Sequence, residues 1–294
     1  MKARMLPTMP DPFPPAFRTM LDAILRFQHR IAGGQSEVLR ARLRALSQSG
    51  TFAGHRSYVR GDDLRRIDWN AYARTGSMFI KLLEEDDRRA TTVFVDASPS
   101  MLCGNPPRLV TALRLAAILG GLALVHLDGV QLRVGAVDQL LQGRGAVADL
   151  LQRLAAVRPS VMEPMDSVRA LLRAGSPRKV HWISDFATPA TTEPVLHLLR
   201  RHSRHVTGWL PTLPDDQTAP ALGFTSVVDP ETLLERRIVI NAQMAAAFAA
   251  ELKVLQRQQT QIFSFARFPL QRVSLPTAEF EVSDWLEAGF CFRR

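Results

Sequence analysis

Thr91-Thr92-Val93-Phe94-Val95, followed directly by Asp96-Ala97-Ser98-Pro99-Ser100, is the stretch that decides the fold of this chain. Its first five residues are apolar or β-branched, which predicts a buried strand. Asp96, Ser98 and Ser100 then follow at the carboxyl end of that strand, where open α/β sheets bind their ligands. One carboxylate and two hydroxyls suit a hard cation, so we expect Mg²⁺ here, with Mn²⁺ or Ca²⁺ as alternatives. The other interpretation is a polar turn whose Asp and Ser side chains bond their own backbone.

Strand and helix patterns alternate after this stretch, which predicts an α/β fold with a mainly parallel sheet and helices on both faces. The predicted helices are Arg108–Val125, Ala146–Ala156, Met165–Arg173, Glu193–His202, Asn241–Gln258 and a closing helix over Phe280–Ala288. The predicted strands that follow the first one are Val130–Val137, Lys179–Ser184, His205–Leu210 and Gln261–Phe265. Upstream, the apolar spacing predicts amphipathic helices over Phe17–Arg30 and Ser36–Leu46. We therefore divide the chain into N-terminal helices (1–50), a charged segment (51–90) and an α/β domain (91–294).

Composition indicates a chain with a real core and no membrane span. Hydrophobic residues make up 46% of the 294 residues, and no apolar run reaches the roughly 18–20 residues of a transmembrane helix without a charge or a break. The N-terminus lacks the basic-then-apolar order of a signal peptide. Cys103 and Cys291 are too few for a disulfide framework, which favours a reducing compartment. We therefore expect a cytoplasmic protein.

The chain is basic, with a formal net charge of +9, and much of that charge lies near the N-terminus. Residues 1–66 hold 12 Lys and Arg against 5 Asp and Glu. A basic face of this kind can meet nucleic acid or an anionic membrane surface. No zinc-ligand spacing, aromatic interleaving or recognition-module signature accompanies it, so no nucleic-acid partner is expected. Binding of nucleic acid or of a membrane surface through this basic segment is nevertheless kept as an alternative function, with peripheral membrane contact made by the amphipathic N-terminal helices.

The segment between residues 54 and 74 is dense in Arg, Asp and Gly, with aromatic residues inserted. It and the stretch that follows resemble domain of unknown function family 58, a bacterial set of von Willebrand factor A-like proteins often encoded beside MoxR-type AAA+ ATPases. The resemblance continues through Asp96, Ser98 and Ser100 to Ile183-Ser184-Asp185-Phe186, and reaches Asp229-Pro230-Glu231. The family-motif residues of the charged segment are Arg56, Tyr58, Gly61, Asp62, Asp63, Arg65, Asp68, Trp69 and Arg74, followed by Lys81, Glu84 and Glu85.

This resemblance implies a von Willebrand A-like, Rossmann-like fold with a metal-ion-dependent adhesion site. Asp96, Ser98 and Ser100 match the first metal loop, and Asp185 matches the later carboxylate, which contacts the ion directly or through water. The family's middle loop usually offers a Thr, and this chain has none in the corresponding region. Ser160, Ser167 or water would have to substitute, and a degenerate site that only shapes the loop is the alternative.

The function expected from these features is binding, not catalysis. A divalent cation with an open position would capture an acidic side chain, and the resemblance adds a MoxR-type AAA+ ATPase or its client proteins as partners of an adaptor in complex assembly or maturation. One alternative is a Mg²⁺-dependent phosphoryl-transfer or hydrolytic enzyme. Against it, Ser98 stands where such an aspartyl-phosphate enzyme carries an acid, and no phosphate-binding loop or Gly-x-Ser-x-Gly elbow is present.

The charged segment itself has two interpretations. Its Asp and Arg side chains can form a buried network that joins the N-terminal helices to the sheet, and Tyr58, Ile67 and Trp69 are then expected to be buried. The same surface could instead be what a partner recognises. In the first case Asp68→Ala should destabilise the protein, because it strands an Arg.

Overall fold

The computed structural model describes residues 9–26, 51–59, 67–84, 90–125, 129–135, 137–143, 145–160, 164–213, 216, 222–232 and 234–274. The predicted helices over Ser36–Leu46 and Phe280–Ala288 lie outside these residues, as do the family-motif residues Gly61, Asp62, Asp63, Arg65 and Glu85. The chain divides into two units, one made of residues 30–89 and the other of the remainder. Each is described by itself.

Helices and strands alternate along the larger unit, as expected of an α/β fold. In chain order, the elements of the described residues are α1 (15–26), β1 (Thr51–Ser57), α2 (Trp69–Thr75), β2 (Phe79–Glu84), β3 (Thr91–Val95), a 3-10 turn (Pro99–Leu102), α3 (Arg108–Val125), β4 (Val130–Val134), β5 (Val137–Leu141), α4 (Ala146–Ala155), α5 (Pro164–Ala174), β6 (Lys179–Ile183), α6 (Pro189–His202), β7 (His205–Pro211), β8 (Gly223–Val228), β9 (Glu235–Ile240), α7 (Ala242–Phe265) and β10 (Leu270–Val273).

Six strands form the central sheet in the order β10-β7-β6-β3-β4-β5. All neighbours are parallel except β4 and β5, which form an antiparallel hairpin. The chain passes from β3 to β4 on one side and from β6 to β7 on the other. Strand order therefore reverses between β3 and β6, and the carboxyl ends of these two strands flank the crevice where such sheets bind ligands.

Alternate residues of the strands feed two separate cores, one on each face of the sheet. Val93 and Leu132 belong to a core covered by α1, α3 and α4, whereas Phe94 and Trp182 belong to a core covered by α5, α6 and α7. All five residues of β3 are buried, because this strand lies inside the sheet with helices on both faces. The predicted mainly parallel α/β architecture with helices on both faces is confirmed.

Helix α3 is long and apolar enough to cross a membrane by length and composition, yet 78% of it is buried within the protein. It is apolar on nearly every side because it packs against the sheet, α1 and α4 at once. Gly121 of α3 makes room for Leu25 of α1, whose Cδ2 would lie 3.2 Å from an added Cβ. The apolar run in the sequence therefore corresponds to a central core helix.

Two parts of the predicted order of elements were wrong. The expected strand over Gln261–Phe265 is instead the last turn of α7, because Ile262 and Phe263 pack on the second core with helical spacing. The closing strand is β10, which pairs with β7. The predicted strand over Val130–Val137 is broken at Gly135, whose φ of +52° turns the chain into β5. An added Cβ there would also lie 2.7 Å from Ser160 Oγ. Both the positive φ and this lack of space therefore favour glycine at position 135.

In its described residues, 51–59 and 67–84, the smaller unit contains the antiparallel pair β1 and β2 and the short helix α2. Asp68 caps α2: its Oδ1 accepts hydrogen bonds from the backbone N–H groups of Asn70 and Ala71 at 3.0 and 3.1 Å. Ile67 is buried and Tyr58 is half-buried, but Trp69 is 61% exposed, so its predicted burial was wrong. Trp69 is the first residue of α2, and its ring packs edge-on against Tyr72 on the surface of the helix.

We expect Asp68→Ala to lower the free energy of unfolding by about 1 kcal/mol, the usual cost of losing an N-cap. Asp68→Asn should stay close to wild type, because an asparagine caps a helix as well as an aspartate. Urea titrations of the three proteins separate this role from the predicted charge network. A loss of about 3 kcal/mol or more in Asp68→Asn would instead indicate a buried ion pair.

Candidate functional site

The Asp96–Ser100 loop lies where β3 ends, next to the end of β6. The backbone N–H of Asp96 donates to Ile183 O at 2.8 Å, which extends the pairing of the two strands by one residue. The Asp96 carboxylate then accepts from Ser98 N at 2.8 Å and from Ser184 Oγ at 2.7 Å. The hydroxyl oxygens of Ser98 and Ser100 lie 2.9 Å apart. The loop is thus a self-bonded turn and, at the same time, a cluster of three converging oxygen-bearing side chains.

Asp185 follows β6 and joins this cluster through Ser100, whose side chain hydrogen-bonds to it. Its Oδ1 also accepts from Ala187 N at 3.1 Å. Burial raises the pKa of Asp185 above its ordinary value, and the nearby charge of Asp96 raises it further, while the hydrogen bond from Ala187 opposes the shift. A positive charge that approaches such a buried carboxyl stabilises its ionised form.

The turn that presents Asp185 is held from the far side of the sheet by α7. Phe186 adopts a left-handed conformation with φ of +47°, which is uncommon for a large residue. Gln259 of α7, only 3% exposed, donates from Nε2 to the carbonyl oxygens of Asp185 and Phe186, both at 3.1 Å. The backbone on which Asp185 sits is therefore fixed by a buried side chain from another element.

Of the two serines that could replace the middle-loop threonine, the structure brings Ser160 to the loop. Its backbone N–H donates to Ala97 O at 2.8 Å, and its Oγ is buried with no hydrogen-bond partner among the described residues. Ser167 lies in α5, and its carbonyl oxygen accepts a hydrogen bond from Arg133. A buried hydroxyl without a partner is costly, and this one lies next to Gly135 after β4.

Arg108, at the start of α3, is a neighbour that the sequence did not reveal. Its Nη2 pairs with Asp216 Oδ1 at 2.5 Å, its Nε donates to Pro211 O at 3.1 Å, and its Nη1 lies 4.0 Å from Asp185 Oδ2. The guanidinium is therefore largely engaged by Asp216 and only partly balances Asp185. It brings a fixed positive charge to the edge of the cluster, which weakens the attraction of any cation for Asp185.

Glu231 reaches the same loop from the turn between β8 and β9. Its Oε1 accepts a hydrogen bond from the backbone N–H of Ser100 at 3.0 Å. The sequence drew attention to Asp229-Pro230-Glu231 only as a family stretch, because nothing local indicates a contact across 131 positions. This contact adds a carboxylate next to the two hydroxyls.

The donor set around the loop fits a hard cation more than a soft one. It offers hydroxyl and carboxylate oxygens, the ligands that Mg²⁺ and Mn²⁺ prefer. In the part of the chain that the structure describes, no three His, Cys, Asp or Glu side chains form a group that could hold a metal ion. The candidate site therefore combines the hydroxyls of Ser98 and Ser100 with carboxylates that do not themselves form such a group.

The described family-motif residues of the charged segment all lie in the smaller unit. Arg56 is in β1, where its backbone pairs with that of Ile80, and Tyr58 N donates to Met78 O at 2.9 Å. Asp68, Trp69 and Arg74 belong to α2 and its cap, and Arg74 Nε donates to Asn70 O at 3.1 Å. The bonds described for Asp68 and Arg74 organise α2, and the wider Arg/Asp network stays a prediction.

The chain is similar to one known protein family and to solved structures. The sequence profile of DUF58, described as a protein of unknown function, matches residues 54–259. The conserved hypothetical protein BatB from Bacteroides thetaiotaomicron is similar at 18% identity with a TM-score of 0.39, over 64% of this chain and 91% of that protein. An aerotolerance-related membrane protein from Bacteroides fragilis, with multiple mutations to serines, is also 18% identical with a TM-score of 0.39, over 68% and 95%. No curated protein matches the chain.

Proposed function

The chain belongs to the DUF58 family, whose function is unknown, and from that premise we propose that it is a non-enzymatic protein-binding module. In this proposal a divalent cation, Mg²⁺ in the cell, is held by the Asp96–Ser100 loop. The bound ion captures an acidic side chain of a partner protein. The family resemblance adds the class of partner, a MoxR-type AAA+ ATPase or one of its clients, and a role as an adaptor in complex assembly.

One observation carries the proposal: two hydroxyl oxygens, those of Ser98 and Ser100, lie 2.9 Å apart between the ends of β3 and β6. Ser98 and Ser100 would hold the cation, Asp96 and Asp185 would balance its charge, and Ser160 Oγ would serve in place of the missing threonine. A Mg²⁺ ion held in this way would keep a coordination position open for a carboxylate from outside. The chain's own residues fix the hydroxyls and orient Asp96 through Ser184.

Binding is favoured over catalysis by what surrounds Asp96. Its two oxygens already accept hydrogen bonds from Ser98 and Ser184, and Ser98 has no acidic proton to give to a leaving group. Arg108, whose Nη1 lies 4.0 Å from Asp185 Oδ2, is paired with Asp216. The cluster therefore has the means to hold and orient charge, and a carboxylate brought by a partner is the ligand that suits it.

The test is whether the complex with a MoxR-type ATPase of the source organism depends on the metal. Binding of the purified proteins, measured by biolayer interferometry in Mg²⁺ and in EDTA, should weaken about tenfold or more without the metal, and equally in Ser98→Ala/Ser100→Ala. Asp149→Ala, which removes an exposed carboxylate on α4, is the matched control. A complex that EDTA leaves unchanged refutes metal-dependent capture, and absence of any complex refutes this class of partner.

A further inference from the structure

The contact between Glu231 and Ser100 places a carboxylate of the chain itself on the candidate metal loop. Glu231 Oε1 accepts from Ser100 N at 3.0 Å, and the hydroxyl of the same serine lies 2.9 Å from that of Ser98. Glu231 is also close enough for its charge to raise the pKa of the Cys103 thiol, although burial is the larger cause of that shift. An acidic side chain thus already lies at the face of the loop from which a partner's carboxylate would approach.

The turn that carries Glu231 is built to hold this side chain in place. Asp229 Oδ1 accepts from Glu231 N at 2.9 Å, and Asp229 Oδ2 accepts from Thr232 Oγ1 at 2.7 Å. Asp229 N donates to Leu234 O at 3.0 Å, which closes the turn. The hydrogen bond from Thr232 is the main cause that lowers the pKa of Asp229, with that from Glu231 next, so Asp229 stays ionised and keeps both bonds near neutral pH. A surface turn with this many internal bonds presents Glu231 in one orientation.

Among the residues that the structure describes, the hairpin that bears this turn is largely exposed. Strands β8 and β9 form a two-stranded sheet of their own, and such hairpins are marginally stable alone. Phe224 is 93% exposed, and Leu234 and Val239 are also exposed, while Ile240 at the end of β9 is buried. The hydrogen bond from Ser100 N to Glu231 therefore links a weakly packed hairpin to the loop, and it can break at a small cost in free energy.

We propose that Glu231 is a built-in acidic ligand of the Asp96–Ser100 loop, and that an acidic side chain from a partner binds by displacing it. This inference rests on the proposed function, because it assumes that the loop recognises carboxylates. It adds that the free protein is closed by its own hairpin and that capture of a partner releases β8 and β9. The apparent affinity for any external carboxylate is then reduced by the fraction of molecules that are open.

The contact itself is tested by hydrogen exchange, which needs neither metal nor partner. Exchange of the Ser100 amide should rise about fivefold or more in Glu231→Ala relative to wild type, because that amide loses its acceptor. Glu235→Ala is the matched control, since the carboxylate of Glu235 bonds to Ser226 within the same hairpin. An unchanged exchange rate in Glu231→Ala overturns the proposal.

Displacement is tested with a fluorescent hexapeptide that contains a single glutamate, titrated at saturating Mn²⁺. Glu231→Ala and Glu231→Gln should both bind this probe about tenfold more tightly than wild type, if the closed form makes up about nine-tenths of the molecules. Exchange of the Ser100 amide should rise in Glu231→Gln as well, because a neutral amide oxygen accepts a weaker hydrogen bond than a carboxylate. Affinities equal to that of wild type overturn the proposal.

The two hypotheses fail in different ways. If wild type and both variants bind no Mn²⁺ in calorimetry, the proposed function fails, and displacement by a metal-bound carboxylate fails with it. If all of them bind Mn²⁺ and the probe equally, and Asp96→Ala binds neither, the proposed function stands and the built-in ligand is refuted. Tighter probe binding in the Glu231 variants alone supports both.

Discussion

Asp96→Ala is expected to abolish binding of Mg²⁺ and Mn²⁺ in calorimetric titrations, a loss of at least about 100-fold in affinity. Asp96 supplies a carboxylate to the candidate site and also orders the loop, because its oxygens accept from Ser98 N and Ser184 Oγ. Removal of the side chain leaves the hydroxyl of Ser184, a residue only 4% exposed, without that acceptor. We therefore also expect a loss of about 1–3 kcal/mol in the free energy of unfolding.

Asp96→Asn separates the two effects. Its amide oxygen can accept from Ser98 N and its size is unchanged, so the fold should be kept while the charge that attracts the cation is lost. Asp149→Ala serves again as the exposed control. Titration of Asp96→Asn with wild-type affinity would show that this carboxylate does not serve the metal, and a wild-type protein that binds neither ion would mean that the site is degenerate.

Acidification is expected to destabilise wild type far more steeply than His181→Gln. His181 lies in β6, 7% exposed, and its Nδ1 accepts a hydrogen bond from Trp209 Nε1 at 3.0 Å, so that nitrogen must be unprotonated. Burial, with a smaller contribution from Lys179, lowers the pKa of His181 from 6.5 to about 3. Between pH 6.5 and about pH 3, His181 is therefore protonated in the unfolded chain but not in the folded protein. Stability is complete above pH 6.5 and is lost as the pH falls, at up to about 1.4 kcal/mol per pH unit.

Urea unfolding at pH 7, 6 and 5 measures this dependence. Wild type should lose about 2 kcal/mol between pH 6.5 and pH 5 through this histidine, a loss that His181→Gln escapes because glutamine can accept from Trp209 without titrating. His205→Gln, at an exposed position of β7, should follow wild type. Parallel curves for wild type and His181→Gln would show that His181 is protonated in the folded protein.

The sequence was sufficient to predict those parts of the fold and of the candidate site whose residues lie within a few positions of one another. The strand Thr91–Val95 and the three side chains of Asp96, Ser98 and Ser100 are contiguous, and the mainly parallel sheet that contains β3 followed from the alternation of helices and strands. Asp185 was found through resemblance, because nothing in its own surroundings distinguishes it from an ordinary residue after a strand. Its approach to Ser100 depends on β6 lying next to β3.

Long-range contacts escaped the sequence for a physical reason. Arg108 meets Asp216, and Glu231 meets Ser100, across more than a hundred positions, and such pairs follow from tertiary packing rather than from any local pattern. The end of α7 was assigned wrongly for a related reason. Ile262 and Phe263 form an apolar run too short to tell strand from helix, and only the second core decides between them. The exposure of Trp69 likewise depends on which side of α2 faces the sheet of its unit.

The burial of α3 has a consequence for how this protein fails when it unfolds. The helix is as apolar as a membrane-spanning helix along its full length of 18 residues, and among the described residues the sheet, α1 and α4 cover much of its surface. A molecule that loses this packing exposes an apolar, aggregation-prone helix to other molecules in solution before it can refold. Heating should therefore cause irreversible aggregation instead of reversible unfolding. The lifetime of the protein at high temperature is then set by the rate at which the packing around α3 unfolds.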